Sequence, residues 1–426
     1  MSKIFFEKIK NKKSKIGIIG LGYVGLELAL SVASKGYKVY GFDKNIDKVK
    51  KIRNKKSPIS TIGSDKIRVL DANKIFDLRK INLINECDII IICLPTPVKK
   101  NLSPDNSFLN NCIKMIQPYL REYQMIILES TVYPFGTKEI IGDRLKNFKI
   151  GKNFFLCFSP ERVSPGQNEL TKYSKITKLI SGTTKNCLKG IKTFYEKIFL
   201  NVFECKSIET AEFTKLYENS YRAVNIGLAN EMKIVCDKLK INIFDVIKAA
   251  STKPFGFKPF SPGPGVGGHC IPVDPLFISY VAKKFNSKAD YVLLSRKVNI
   301  DITKWIINKI KKKIKKEKSK ILLLGAAYKK NIDDARESPF ILIYKELAKT
   351  NSINYFDPYV KKLRIDQKRI NSLKKLHYEN LNKYDAVVLV TDHDKFNYEK
   401  ILKYSKLIFD TRGVFKDQNN SKVVVC

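Results

Sequence analysis

Histidine is scarce in this sequence, with three among 426 residues. Nine cysteines stand at positions 87, 93, 112, 157, 187, 205, 236, 270 and 426, and none forms a CxxC pair. The ligand spacings of a structural zinc site are therefore missing. An odd number of cysteines at irregular intervals, with no secretory signal, also argues against a disulfide framework. Several lie in apolar runs such as "CDIIIICLPTP", where cysteine behaves as a small hydrophobe. No continuous apolar run reaches membrane-spanning length. The N-terminal "MSKIFFEKIKNKKSK" is basic, but its apolar part, Ile4 to Phe6, is far too short for a signal peptide. A soluble protein of the cytoplasm, without a membrane partner, is the expectation.

Acidic residues are the other shortage: 41 Asp and Glu face 80 Lys and Arg, for a formal net charge of +39. Such a balance raises nucleic-acid binding as a reading, including a nucleic-acid-binding or scaffold protein on a retired enzyme fold. Against it, the lysines are spread through the whole chain beside heavy use of Ile, Asn, Phe and Tyr, the pattern of drift toward AT-rich codons. The one dense run, "KKKIKKEKSK" at 311–320, falls where a helix end and linker are expected. No nucleic-acid partner is expected, only a general attraction for polyanionic ligands, nucleotides included.

The chain is too long for one core, and its 44% hydrophobic content with 25 Phe and 20 Tyr fits a globular protein. "KIGIIG" at 15–20 is a short apolar run that stops at glycine, the mark of a buried parallel strand. Helical spacing of Val24, Leu28 and Val32 follows and ends at Gly36. "KVYGFD", "CDIIIICLP", "QMIILEST", "FFLCFSPERV" and "KLISG" continue as strands between helical or loop segments. This alternation predicts a doubly wound α/β domain over 1–205. A helical segment is expected over 206–318, carrying the loop "SPGPGVGGHCIPVDP". "KILLLGAAYKK" restarts a strand-turn-helix pattern, continued by "INYFDPYV", "YDAVVLVTDHDKF" and "KLIFDTRGVF". A second α/β domain is expected over 319–426. The fold class is thus α/β, with two Rossmann-like parallel-sheet domains joined by a helical region.

"GLGYVG" at 20–25 matches G-x-G-x-x-G between a strand and a helix. Gly20 allows the tight turn, Gly22 lets the backbone approach a pyrophosphate, and Gly25 lets helix and strand pack closely, with Tyr23 and Val24 between them. The helix N-terminus offers amides and its dipole to phosphates. Alone the pattern is weak. Asp43, 23 residues after Gly20, ends the next strand where a carboxylate accepts bonds from the adenosine ribose and repels a 2′-phosphate. NAD is the expected cofactor, and Lys44 and Lys48 nearby are given little weight. "GAAY" at 325–328 lacks the later glycines, so a mononucleotide portion of the substrate is expected there, with Lys329 and Arg336 as phosphate or hydroxyl contacts.

Cys270 follows glycines that would let backbone amides crowd its sulfur, a possible oxyanion site. From the residues alone, a nucleophile and a buried loop thiol remain equally open. Metal ligation is not expected, since only His269 is near and adjacent residues seldom chelate one ion. Lys215 and Asn219 lie four apart on one helix face, against a plain reading of a solvated lysine. Glu161 in "SPERVSPG" sits after a strand, at the end where open α/β sheets bind ligands, or is a surface loop charge. His377 and His393 are isolated and assigned to surface or supporting structure.

"GIIGLGYVGLELA", "CLPTP", "LESTVYPFGT", "SPERVSPG", "EFTKLYENSYRAVNIGLANE", "GPGVGGHCIPVDP", "AYKKNIDDARESP" and "FDTRG", in this order, resemble the UDP-glucose/GDP-mannose dehydrogenase family of nucleotide-sugar 6-dehydrogenases. The likeness covers nearly the whole chain from Lys15. It implies oxidation of a sugar C6 alcohol to the uronate with two NAD, by way of an aldehyde, a cysteine thiohemiacetal and a thioester. Carried over by position, Cys270 is the nucleophile and Lys215 stabilises oxyanions with Asn219 beside it. Asp274 works with Lys215 on the hydrolytic water, Glu161 is a candidate acid/base, and Thr131 helps hold that water near the nicotinamide. Thr96 and Arg336 are implied cofactor contacts. Glu161, Arg162, Lys215, Asn219, Gly265, Gly267, Lys329 and Arg412 are implied substrate contacts. The segment from Lys253 to Pro275, with His269 before the cysteine and Pro165 four places after Glu161, resembles the branch acting on UDP-N-acetylhexosamines, particularly UDP-N-acetyl-D-glucosamine. The same chemistry on UDP-N-acetylgalactosamine, UDP-N-acetylmannosamine or UDP-glucose is the nearest alternative. A product for surface polysaccharide and a homodimer or higher homo-oligomer are further implied. The basic N-terminal extension lies outside the family pattern.

Overall fold

Short apolar runs form most strands of the two main sheets, whose neighbours are parallel but for one pair. The computed structural model describes residues 2–162, 175–314, 316, 318–418 and 420–426. It falls into two compact units, one of residues 1–218 with 276–287 and the other of 219–275 with 288–426. The helical segment expected as a separate middle region is shared between them.

The first unit carries an eight-stranded sheet of order β3-β2-β1-β4-β5-β6-β7-β8. Its strands are β1 (Lys15–Ile19), β2 (Lys38–Asp43), β3 (Ile75–Asp77), β4 (Ile89–Ile92), β5 (Gln124–Leu128), β6 (Phe154–Phe158), β7 (Lys178–Gly182) and β8 (Val202–Glu204). All neighbours are parallel except β6 and β7. β4 shows why a parallel strand reads as an unbroken apolar run. Ile89 and Ile91 enter the core on one face, and Ile90 and Ile92 the core on the other. The chain order reverses between β1 and β4, which makes their carboxyl ends the switch point where such sheets bind ligands.

The basic N-terminus is helical, over α1 (Ser2–Lys10). Phe5 and Ile9, one turn apart, are buried, and Phe5 stacks on Phe155 of β6 with centroids 4.8 Å apart. Lys8 Nζ donates to Asp88 at 2.9 Å, while Tyr37 donates its hydroxyl to the Ile9 carbonyl. This segment is therefore a built part of the first unit. Phe5→Ala is expected to destabilise the protein by about 3–5 kcal/mol, read as a lowered denaturation midpoint.

The second unit carries a five-stranded parallel sheet of order β10-β9-β13-β14-β15 and a β11-β12 hairpin. The strands are β9 (Lys320–Leu324), β10 (Ser352–Phe356), β11 (Lys362–Ile365), β12 (Lys368–Asn371), β13 (Ala386–Leu389), β14 (Ile408–Asp410) and β15 (Val423–Val425). In β9 the alternation repeats: Ile321 and Leu323 face one core, Leu322 and Leu324 the other. Three further helices matter for the site: α2 (Tyr23–Ser34) after β1, α3 (Ile46–Arg53) after β2, and α4 (Lys185–Tyr195) after β7. Next come α5 (Ile208–Leu239), α6 (Asp274–Lys284), α7 (Asp290–Lys313) and α8 (Pro339–Leu347). In α7, Ile302, Ile306 and Ile310 make an apolar stripe against the second sheet's core.

One expectation fails here. The turn after β9 does not lead straight into a helix, because α8 begins only at Pro339. Asp357, just after β10, accepts the amides of Ala326 at 2.6 Å and Ala327 at 2.9 Å. Those two amides, which a phosphate-binding turn would present outward, are thus used within the protein.

Candidate active site

In the first unit, the turn between β1 and α2 is shaped by contact. A Cβ on Gly25 would stand 1.8 Å from the Gly20 carbonyl oxygen, so only glycine lets α2 start this close to β1. Gly20 itself has φ +93°, a left-handed conformation that glycine adopts freely. Nothing lies within 4 Å of where a Gly22 Cβ would be. Gly22 is also the N-cap of α2 and supplies no side-chain cap. Open space before an uncapped helix N-terminus fits a pyrophosphate. Tyr23 and Val24, half-buried, form the first turn of α2.

Asp43 closes the cradle from the end of β2. Its Oδ2 accepts the Leu21 amide at 2.8 Å and Lys48 Nζ at 3.0 Å, and its Oδ1 accepts the Asn45 amide at 2.8 Å. Lys48, discounted from the sequence because lysines abound, is thus paired with the carboxylate that was to read the ribose. Lys44 lies over the Phe108 ring, 4.8 Å from its centroid. Thr96 is buried just beyond β4. Ser130 Oγ accepts the Leu94 amide at 2.8 Å, which ties the "EST" turn carrying half-buried Thr131 to the "CLPTP" segment. These residues fit a dinucleotide by their open space, donors and carboxylate.

Glu161 follows β6 and is almost buried. Its Oε1 accepts the Arg162 amide at 2.7 Å, and its Oε2 lies 3.4 Å from Lys178 Nζ. Arg162, expected at the substrate, is instead clamped inside the first unit. Its Nη2 donates to Glu218 at 2.6 Å and its Nη1 to the Thr177 carbonyl at 2.8 Å. A guanidinium held on two sides serves the frame first. Lys215 is half-buried on α5, one turn before Asn219. Pro165 lies outside the described residues.

In the second unit, Cys270 is exposed at the end of the glycine-rich loop. Its carbonyl accepts the amides of Val273 at 3.1 Å and Asp274 at 2.8 Å, so the thiol and the first residue of α6 share one turn. Asn219 Nδ2 donates to Asp274 Oδ2 at 2.5 Å, and both side chains are buried. The structure therefore joins two of the expected residues beside the cysteine.

The loop glycines answer to a different need than the sequence implied. A Cβ on Gly267 would stand 2.6 Å from Tyr328 Cβ and 2.8 Å from the Glu337 carbonyl. One on Gly265 would stand 2.6 Å from Thr303 Oγ1. The Gly268 amide donates to the Arg336 carbonyl at 2.9 Å and so is not presented to the sulfur. These glycines let the cysteine loop pack against the segment after β9 and against α7.

That segment brings charge with it. Lys329 is half-buried and held below its usual range by burial, then by the Arg222 charge. Burial first, then Asp334 and Cys270, push Tyr328 up to about 12. His269 is held below its usual value by burial and by Arg336, so it is neutral at pH 7. Arg336 is itself forked onto Asp334, with Nε 3.0 Å from Oδ1 and Nη2 2.6 Å from Oδ2. Arg412 Nε donates to the Val390 carbonyl at 2.8 Å, beside Asp392 at 3.8 Å. Among the described residues, no group of three His, Cys, Asp or Glu could hold a metal. His393 is fully buried, with Nε2 3.0 Å from Asp357 and Nδ1 accepting the Asn331 amide at 2.9 Å. It supports the turn after β9 and is not a surface residue.

Sequence reasoning missed Arg222, Glu129, Lys178 and Tyr195. Arg222 follows Lys215 and Asn219 at helical spacing, a signal that was available. The other three share no local pattern.

Three family models match this chain. The UDP-glucose/GDP-mannose dehydrogenase NAD-binding domain matches residues 14–199, the central domain 209–301 and the UDP-binding domain 322–417. A UDP-N-acetyl-D-mannosamine dehydrogenase of Methanococcus maripaludis is 34% identical over 421 residues, covering 94% of this chain and 93% of that protein. A UDP-N-acetyl-D-glucosamine 6-dehydrogenase of Pseudomonas aeruginosa is 30% identical over 425 residues, covering 96% and 99%. The solved structure of a UDP-D-ManNAc dehydrogenase from Pyrococcus horikoshii superposes with a TM-score of 0.84 at 28% identity, covering 96% and 97%.

Proposed function

The chain belongs to the UDP-glucose/GDP-mannose dehydrogenase family, and from that premise we propose that it oxidises the C6 alcohol of a UDP-N-acetylhexosamine to the carboxylate. It is an NAD-dependent nucleotide-sugar 6-dehydrogenase. The observation that carries the mechanistic reading is Cys270 exposed in the same turn as a buried Asp274 that Asn219 holds at 2.5 Å.

Gly20, Gly22, Tyr23, Val24, Gly25, Asp43, Thr96 and Thr131 would hold the cofactor in the first unit, with Arg336 as the contact implied by likeness. Bound NAD would supply hydride acceptance, with two NAD molecules in succession each taking one hydride, the first from the C6 alcohol carbon and the second from the carbon bonded to Cys270. The residues of this chain do the rest. Cys270 as thiolate adds to the aldehyde carbon, forming a C–S bond and an oxyanion, so the aldehyde is not released. Lys215 and Asn219 stabilise that oxyanion by charge and by hydrogen bond. After the second oxidation the carbon is a thioester. Asp274 and Lys215 orient a water and Glu161 takes its proton, the hydroxide oxygen bonds to the thioester carbon, the C–S bond breaks, and Cys270 leaves as thiolate. Lys329, Arg412, Gly265 and Gly267 stand in the second unit as contacts to the UDP-sugar, whose diphosphate suits the cationic group of Lys329 and Arg222.

UDP-N-acetyl-D-glucosamine is the substrate read from Lys253 to Pro275, oxidised in the cytoplasm to a product destined for surface polysaccharide. A second reading, UDP-N-acetyl-D-mannosamine, is favoured by relatives at 34% identity. A panel of UDP-N-acetylglucosamine, UDP-N-acetylmannosamine, UDP-N-acetylgalactosamine and UDP-glucose, followed by NADH absorbance, separates them. The highest kcat/KM is expected for UDP-N-acetylglucosamine. A preference for the manno epimer selects the second reading, and no NADH with any of the four overturns the proposal. A homodimer or larger homo-oligomer is also proposed. Tyr221, Leu228, Met232, Val235 and Leu239 make an apolar stripe on α5, each between 38% and 62% exposed, which supports it.

A further inference from the structure

Behind Glu161 lies a buried cluster of charges to which the chemistry above gives no work. Lys178 opens β7 and is 3% exposed. Its Nζ stands 2.9 Å from Glu129 Oε1 and 3.4 Å from Glu161 Oε2. It also reaches the Pro160 carbonyl at 3.5 Å. Glu129 directly follows β5, two residues before Thr131, and its side chain is fully buried. Tyr195, at the end of α4, donates its hydroxyl to the same Oε1, while Glu129 Oε2 is buried with no hydrogen-bond partner among the described residues. On α2, Glu27 is pushed up to about 7 by burial, then by the Glu161 charge, with Lys66 pulling the other way. Cys93, beyond β4, borders the cluster with its thiol held protonated by burial. Next to Glu161 in the chain, the Arg162 guanidinium is turned to Glu218.

The arrangement is one ammonium shared by two carboxylates in a dry interior. Burying a lysine costs several kcal/mol, and apolar residues of similar volume would hold the fold as well. Burial alone would strip the Lys178 proton, yet Glu129 and Glu161 outweigh it and keep the group charged. An opposite charge this close favours the ionised carboxylate of Glu161, and Glu129 competes for the same ammonium. The two oxygens of Glu161 are then fixed separately, Oε1 by the Arg162 amide and Oε2 by Lys178.

We propose that Lys178 and Glu129 are positioning residues for Glu161: the ammonium orients its carboxylate and keeps it ionised, and Glu129 tempers that hold. The proposal rests on the reading of Glu161 as the acid/base of thioester hydrolysis. Its signs are opposite for the two partners. Removing the ammonium raises the pH at which Glu161 ionises, whereas neutralising Glu129 frees the ammonium for Glu161 and lowers it.

The test is the pH dependence of steady-state uronate formation by the full-length enzyme. In Lys178→Met the acid limb is expected to move up by about one to three pH units. Lys178→Arg should return it toward the wild-type position, and Glu129→Gln should move it down. The dissociation constant for NAD, measured by titration, should stay unchanged in all three. Unmoved limbs, or limbs moving in the same direction, overturn the inference. If Lys178→Met does not fold, Glu129→Gln decides alone: a downward shift supports the proposal and no shift overturns it. Glu161→Gln separates the two levels. Wild-type uronate formation in that variant sinks the reading of Glu161 itself, whereas its loss beside unmoved limbs sinks only the role of Lys178 and Glu129.

Discussion

Cys270→Ser is expected to lower uronate formation by roughly three orders of magnitude or more, because the variant has no thiolate to capture the aldehyde. Serine keeps the size and the loop. The loop's shape is set by backbone bonds, from Val273 and Asp274 to the Cys270 carbonyl, and by the packing of Gly267 on Tyr328. The side chain itself is exposed, so its change leaves the core intact. A circular-dichroism spectrum and melting temperature like those of the wild type should accompany the lost activity. A hydroxyl in place of the thiol is a poor nucleophile at pH 7, because almost none of it is ionised there. Full turnover in the variant would show that this cysteine is a structural thiol, the alternative that the residues alone left open.

Asp274→Asn is expected to slow turnover by roughly 10²- to 10⁴-fold through a different step. The substituted amide still offers an oxygen to Asn219 Nδ2, so the 2.5 Å contact keeps an acceptor. The lost charge sits at the first residue of α6, where favourable interaction with the helix dipole contributes about 0.3–1 kcal/mol. That is small beside the loss of the carboxylate that orients the hydrolytic water. Aldehyde capture and the second oxidation need the thiol but not this carboxylate. The variant should therefore release a burst of NADH and stall as a thioester, visible by intact-protein mass spectrometry as an added UDP-uronyl group. A variant that slows without accumulating an acyl-enzyme would place Asp274 before the thioester.

How far such a site can be read from sequence depends on the distance over which its pattern is written. The cofactor turn is local: Gly20, Gly22 and Gly25 lie within one turn and strand end, and their spacing predicts the contacts that a Cβ would break. Apolar runs such as that of β4 were equally readable, because a parallel strand needs apolar residues on both faces. β3 and β8, of three residues each, are too short to show any period. The helix at the N-terminus was hidden by its charge, although Phe5 and Ile9 stand at the spacing of one turn. The helix expected after "GAAY" was read from analogy with the first domain, and the carboxylate of Asp357 replaced it.

The charged residues were the hardest to sort. With 80 basic residues in the chain, nothing local distinguishes Lys178 or Lys48 from a solvated lysine. Lys178 becomes exceptional only when β5 and β7 bring Glu129 and Glu161 to it in space. Arg162 is another case: likeness implies a ligand contact, and the fold adds a pairing with Glu218 that no local pattern shows. Sequence gives the chemistry of a side chain, but its partners come from the topology.

The proposed reaction is a four-electron oxidation completed on one cysteine. Stoichiometry tests it: a limiting amount of UDP-N-acetylhexosamine is driven to completion with excess NAD, and NADH and sugar product are both counted. Two NADH are expected for every sugar, all of it recovered as uronate with no free aldehyde. One NADH per sugar with an aldehyde product would contradict it.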